Sequence, residues 1–190
     1  AFASADCLEG AYFIKNKELL SFSKQQLVDC SWKQGNWGCG GGEMRFAFTY
    51  YEKKGFIKES DYPYTHKDGL CKYDKKIDLV VGFGKGFEQN GDTEEDLQAS
   101  LIERPTAAAI NTWPIMKYES GIYDDITACP ANPRELNHAV LVVGYGADST
   151  GAKYWIVKNS YGVKWGESGY IRLGKGLVSG GTCGVALDTS

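Results

Sequence analysis

Apolar residues fall at helical spacing from the first residues of the chain. Phe2, Ala5, Leu8 and Tyr12 recur three and four apart, and LEGAYFIKNK closes in lysines that suit the C-terminal end of a helix dipole. Gly10 is the one weak point of that helix. Ser23 followed by Gln26 in SKQQLVDC has the form of a capping box, and GEMRFAFTYYEKKG predicts a further helix stopped by Gly55. Residues 1 to about 55 are therefore expected to be mostly helical. From Phe56 to Gly86 turn formers dominate, as in SDYPYTHKDGLCKYD, before a short apolar run, LVVGF, that reads as strand. Thr93 then caps a short helix, TEEDLQASLIER, closed by Pro105.

Beyond Pro105 the pattern shortens to β-rich runs, TAAAIN, NHAVLVVGYG, KYWIVKNS and GYIRLG, separated by Gly, Asp and Ser. The second half is thus a sheet or a barrel. A helix-rich half followed by a strand-rich half predicts an α+β protein of two lobes, 1–87 and 88–190, and a cleft between lobes is a favoured place for a binding site. No internal repeat or low-complexity tract interrupts this organisation.

Composition narrows the function classes more than the fold. With 43% hydrophobic and 24% charged residues in a chain of 190, disorder is not expected. A net charge of −3 with 21 scattered Lys and Arg argues against nucleic acid or an anionic membrane as partner. No window reaches the length of a membrane span, and AFASADCLEG has neither the basic start nor the apolar run of a signal peptide, so the chain reads as processed or trimmed. The six cysteines are too widely spread for a zinc site of two CxxC pairs. Disulfides formed in an oxidising compartment fit them better than buried thiols, although spacing alone leaves all fifteen connectivities open.

Two histidines are available for chemistry. His66 lies in a polar loop, whereas His138 opens the apolar run HAVLVVGYG, where it is either a satisfied core residue or a catalytic one. Downstream, KYWIVKNSYGVKWGESGY places Asn159 at the end of another strand, and a carboxamide can orient an imidazole.

The three blocks LVDCSWKQGNWGCGGG, LNHAVLVVGYG and YWIVKNSYGVKWGESGYIRL, in that order, resemble the papain family of cysteine proteases, and within it the cathepsin L-like branch and related insect enzymes. The resemblance covers nearly the whole chain. It implies a papain-like two-lobed fold with a helical left lobe and a β-barrel-like right lobe. It also implies cysteine-type endopeptidase activity with His138 as general base and Asn159 holding its ring in register. AFASADCLEG resembles the body of the family's central helix just after its Cys-Trp pair, so the nucleophile is expected two residues before Ala1, outside the chain. That position lies about 139 residues before His138, inside the separation of about 130–150 known for such enzymes. Cys7 cannot replace it, because it sits about 12 Å and roughly 80° further along the same helix. The oxyanion donors, the nucleophile's own N–H and a glutamine just before it, are expected in the same outside segment. Tyr161 stands where the family has a tryptophan shielding the Asn–His contact, and Trp165 keeps the second aromatic of that block.

By the same resemblance Gly41 and Gly42 would pair with an extended substrate backbone, with Asn137 beside it. Met44, Ala109, Leu136 and Asp188 would line a mostly apolar specificity pocket whose floor, at Asp188, also admits Arg or Lys. The implied disulfides are Cys30 with Cys71 and Cys129 with Cys183. Cys39 would pair outside the chain and Cys7 would join no bridge. No metal or cofactor is implied. The expected partners are peptide or protein substrates, an inhibitory propeptide and cystatin-like inhibitors of a monomer that is lysosomal or secreted. The alternative is an inactive homologue that binds without cleaving, and a third form carries serine at the outside position.

Overall fold

The computed structural model of the protein describes residues 1–73 and 87–190, so the expected strand at 79–83 lies outside the described residues. The chain divides into two compact units, Ala1–Glu88 and Gln89–Ser190.

The first unit is built on three helices, α1 (Phe2–Asn16), α2 (Lys24–Cys30) and α3 (Met44–Lys54), with single 3-10 turns at Trp32–Gln34 and Gly38–Gly40. Gly10 is absorbed without a break in α1, which ends at Asn16; the capping residue Lys17 turns left-handed and returns its N–H to the Phe13 carbonyl. Half of the expected capping box forms at α2: Ser23 Oγ accepts the Gln26 N–H at 2.9 Å. The other half does not, because the Ser23 N–H is already donated to the Ile57 carbonyl. The Gln26 carboxamide instead clamps the chain after α3, accepting from the Ile57 N–H at 2.9 Å and donating to the Gly55 carbonyl at 3.1 Å. Around this clamp Phe22, Leu27, Ala47, Tyr50, Tyr51 and Phe56 form the core, with Leu8 and Tyr12 of α1 packed on its edge.

Ser23 has no exposed surface, and its hydroxyl also donates to the Tyr62 carbonyl at 2.6 Å. Ser23→Ala should therefore remove a cap and leave a buried carbonyl without its donor, lowering stability by about 2 kcal/mol in urea unfolding. A loss below about 0.5 kcal/mol would contradict this reading of the cap.

The second unit opens with α4 (Glu94–Glu103), capped by Thr93 Oγ1 accepting the Asp96 N–H at 3.1 Å. Arg104 ends it in an extended conformation, as the following Pro105 demands. Strands β1 (Thr106–Ile110), β2 (Ile122–Tyr123), β3 (His138–Ala147), β4 (Lys153–Lys158) and β5 (Tyr170–Gly174) follow. Among the described residues they make one open sheet in the order β1-β3-β4-β5-β2, antiparallel except for the β2–β5 pair. One face of it buries Ala108, Ile110, Val140, Val142, Trp155, Val157, Ile171 and Leu173 against Leu97 of α4 and the segment around Cys183. Two disulfides are present, Cys30–Cys71 in the first unit and Cys129–Cys183 in the second. They close loops of 41 and 54 residues, for each of which loop-closure entropy gives about 4 kcal/mol. Among the described residues no helix is long and apolar enough to cross a membrane.

Candidate active site

Strand alternation brings His138 and Asn159 together. In β3 the two-residue period places His138 on the face of Val140 and Val142, and the ladder to β1 sets it opposite Ile110, all core residues of that face. In β4 the same period places Trp155 and Val157 inward and aims Asn159, one step past the strand end, the same way. Leu141 pairs with Lys158 and Val142 with Val157. Continuing that register sets Asn159 opposite Val140, diagonal to His138, a separation two side chains can span. The contact found is 2.8 Å from His138 Nε2 to Asn159 Oδ1.

The protonation of the ring follows from a backbone donor. Asn159 Oδ1 also receives the Ser160 N–H at 2.7 Å. An N–H facing that atom fixes it as the oxygen, and an amide oxygen only accepts, so Nε2 must carry the proton toward it. In the neutral ring Nδ1 is then the basic nitrogen. Asn159 is buried, with its own N–H held by the Gly169 carbonyl at 2.9 Å, while its Nδ2 has no partner among the described residues. The carboxamide is thus oriented from its oxygen side.

Tyr161 lies over the imidazole, ring centres 5.0 Å apart, and Trp165 meets Tyr161 edge-on at 5.5 Å. Trp165 is held in turn by its indole N–H on the Met116 carbonyl at 3.2 Å and by the Tyr118 ring. The tryptophan therefore braces the tyrosine, and Tyr161 remains 42% exposed at the outer edge of the pair.

Burial pushes the His138 pKa below its ordinary value of 6.5, partly opposed by the bond to Asn159, which favours the protonated ring. Alone, the imidazole is neutral at pH 7. An imidazolium here needs a nearby anion. In stability the sign is definite: between pH 6.5 and the lower folded value the unfolded chain takes up a proton that the folded chain refuses. The contribution is complete above pH 6.5 and is lost as pH falls through that window. Histidine NMR of the 190-residue chain should show His138 titrating below 6.5, and the urea midpoint difference between wild type and His138→Gln should narrow or reverse on acidification across this window. A midpoint above 6.5 would contradict the burial argument.

The remaining sequence-predicted residues fall into two sets. In the second unit Ala109 lies in β1, its N–H bonded to the Asp188 carbonyl at 2.9 Å and its strand partner Ala139 next to His138. Leu136 is half-buried beside Gly184, where a Cβ would come within 2.8 Å of its Cδ2. The side chain of Asn137 is engaged within the protein, accepting from the Thr112 N–H and hydroxyl and donating to Asn111 Oδ1. In the first unit Met44 is buried at the start of α3. Gly41 and Gly42 are exposed, and both need to be glycine for different reasons. Gly41 has φ 106, whereas a Cβ on Gly42 would come within 2.0 Å of Asn36 Oδ1, which accepts the Glu43 N–H. Cys39 is a free, exposed cysteine whose backbone N–H donates to Asp68, and Cys7 is buried in α1. His66 is exposed in a left-handed turn against the Tyr64 ring. A cavity of about 420 Å³ in this unit, lined by Asp29, Tyr62 and Lys67 among others, includes none of the predicted site residues.

The family model for papain family cysteine proteases matches residues 1–190. The chain belongs to the papain family. It is 42% identical to a cathepsin L-like proteinase of Fasciola hepatica over 98% of its length, and 42% identical to rat procathepsin L over all of it. It spans 56% and 57% of those relatives. Among solved papain-family structures, Ananas comosus bromelain in complex with the E64 inhibitor superposes with a TM-score of 0.89 at 35% identity, over 99% of this chain and 85% of that one. Digestive procathepsin L 3 of Tenebrio molitor larval midgut gives 0.89 at 38%, over 99% and 60%. The α+β, papain-like fold is thereby established.

Proposed function

We propose that this chain is the larger part of a cysteine-type endopeptidase whose nucleophilic thiol is supplied by sequence preceding Ala1. The observation that carries the proposal is the 2.8 Å contact between His138 Nε2 and Asn159 Oδ1 in a chain of this family. With Nε2–H turned to Asn159, Nδ1 takes the proton of the thiol, and the thiolate adds to the substrate carbonyl carbon. The imidazolium returns that proton to the leaving amine as the C–N bond breaks, and water then hydrolyses the acyl-enzyme thioester. The thiolate is the anion that the buried ring lacks by itself, so forming the pair raises the His138 pKa.

In this reading residues 88–190 carry the base and its orienting asparagine, and residues 1–87 carry the glycines along which substrate backbone pairs. Gly41 and Gly42 receive the extended peptide, with Asn137 offering its backbone. Met44, Ala109, Leu136 and Asp188 receive the side chain two residues before the scissile bond. The proform relatives support synthesis as a zymogen with an inhibitory propeptide, and the two disulfides support a lysosomal or secreted location.

The test is labelling of the full-length mature protein with E64, the inhibitor bound in the bromelain complex. One equivalent of adduct on a cysteine upstream of Ala1, with parallel loss of peptide cleavage, is the expected result. Full cleavage activity without adduct, or no cleavage by correctly processed protein, defeats the proposal.

A further inference from the structure

We propose that Asn111, just past the end of β1, is a positioning residue for His138, acting through residues 135–137. His138 is the last rung of the β1–β3 ladder, opposite Ile110, and a ladder end frays unless something beyond it is tied down. Here the next residues are tied down by side chains. Asn137 donates its N–H to the Ile110 carbonyl at 3.0 Å, and its Oδ1 takes the Thr112 N–H at 3.1 Å and the Thr112 hydroxyl at 2.9 Å. Its Nδ2 donates to Asn111 Oδ1 at 3.2 Å.

Asn111 is the hub of the set. It is 5% exposed and uses every polar group of its side chain and its backbone N–H within the protein. Oδ1 accepts from Asn137 and from the Trp113 N–H at 3.1 Å, and Nδ2 donates to Glu135 Oε2 at 3.0 Å. Its N–H reaches the Cys183 carbonyl at 3.0 Å, which anchors the hub to the Cys129–Cys183 disulfide. Two of the three residues before His138 are therefore held from one buried carboxamide. Asn159 fixes the ring from the side of Nε2, and the Asn111 network fixes the backbone from which the ring projects. A base needs both, since misplacement by an ångström costs about a hundredfold in rate.

The catalytic consequence rests on the proposed peptidase function, but the positioning itself does not, and the test separates them. Asn111→Asp keeps the acceptors and sets a carboxylate against Glu135, so the two repel unless they share a proton. In the full-length mature protein it should lower kcat about tenfold to a hundredfold at pH 7 with KM changed less than about twofold, and recover toward pH 5. Adding Glu135→Gln restores a donor facing the new carboxylate, so the double variant should return kcat to within about threefold of wild type at both pH values. The His138 Nε2–H resonance should be broadened in Asn111→Asp at pH 7 and sharp in the double variant. A lowered melting temperature in Asn111→Asp with kcat and that resonance unchanged would overturn the inference, leaving the network a brace of the fold alone. So would failure of the folded double variant to restore them. If the wild-type protein proves not to cleave peptides, the proposed function fails while the resonance still decides this inference.

Discussion

His138→Ala in the full-length mature protein is expected to lower kcat/KM for a peptide reporter by about a thousandfold or more, with the fold intact. The size follows from removing a positioned general base and, with it, the cation that holds the thiolate. The fold survives because the ring is only half-buried and its known side-chain bond is to Asn159, whose oxygen keeps the Ser160 N–H as donor. Asn159→Ala removes orientation without removing the base, so a smaller loss, about tenfold to a hundredfold, is expected. Tyr161→Ala should lie below that, because the tyrosine covers the pair without bonding to it. Steady-state kinetics on all three, normalised by circular dichroism, check the order. Retention of a tenth of wild-type activity by His138→Ala would remove the imidazole from the mechanism.

That pairing was expected from the resemblance to the papain family, and the structure builds it from two alternating strands. NHAVLVV and KYWIVKNS each place every second residue in the core, and a face shared by Val140, Val142, Trp155 and Val157 extends to His138 and Asn159 at its edge. The same alternation hides the bulge between Val142 and Gly144, which shifts β3 by one residue and leaves Val143 38% exposed amid apolar neighbours. The helices were legible where a cap or glycine marks their ends, at Ser23, Gly55 and Thr93. The destination of the Gln26 side chain was not, since the competing Ile57 carbonyl is distant in sequence and close only after folding. Strand β2 gave no signal either. Two residues, Ile122 and Tyr123, have no period, and they become a strand only by parallel pairing with Arg172 and Leu173. The role of Asn111 was hidden for the same reason as that of Gln26: its partners Glu135 and Asn137 lie more than twenty residues away, and the residue itself only closes the β-rich run TAAAIN.

Trp155→Ala should be the most destabilising single change in the second unit, by about 4–5 kcal/mol in urea unfolding. The indole has no exposed surface, and its Nε1–H donates at 2.6 Å to Glu94 Oε1, a buried carboxylate whose other oxygen accepts the Gly176 N–H. Truncation therefore opens a cavity and also strips a donor from a buried charge. Trp155→Phe separates the two costs. It fills most of the space and still orphans Glu94 Oε1, so about 2 kcal/mol should remain, and Glu94→Gln in that background should recover part of it by removing the charge. A Trp155→Phe loss below about 0.5 kcal/mol would mean that Glu94 finds another donor. The effect reaches function only through the population of folded protein. Trp155 and Asn159 lie on one face of one strand and its extension, so weakening β4 unfolds the site together with the core and does not displace one from the other. Activity per folded molecule, counted by E64 titration, should stay within about twofold of wild type, whereas Asn159→Ala lowers activity without lowering the count.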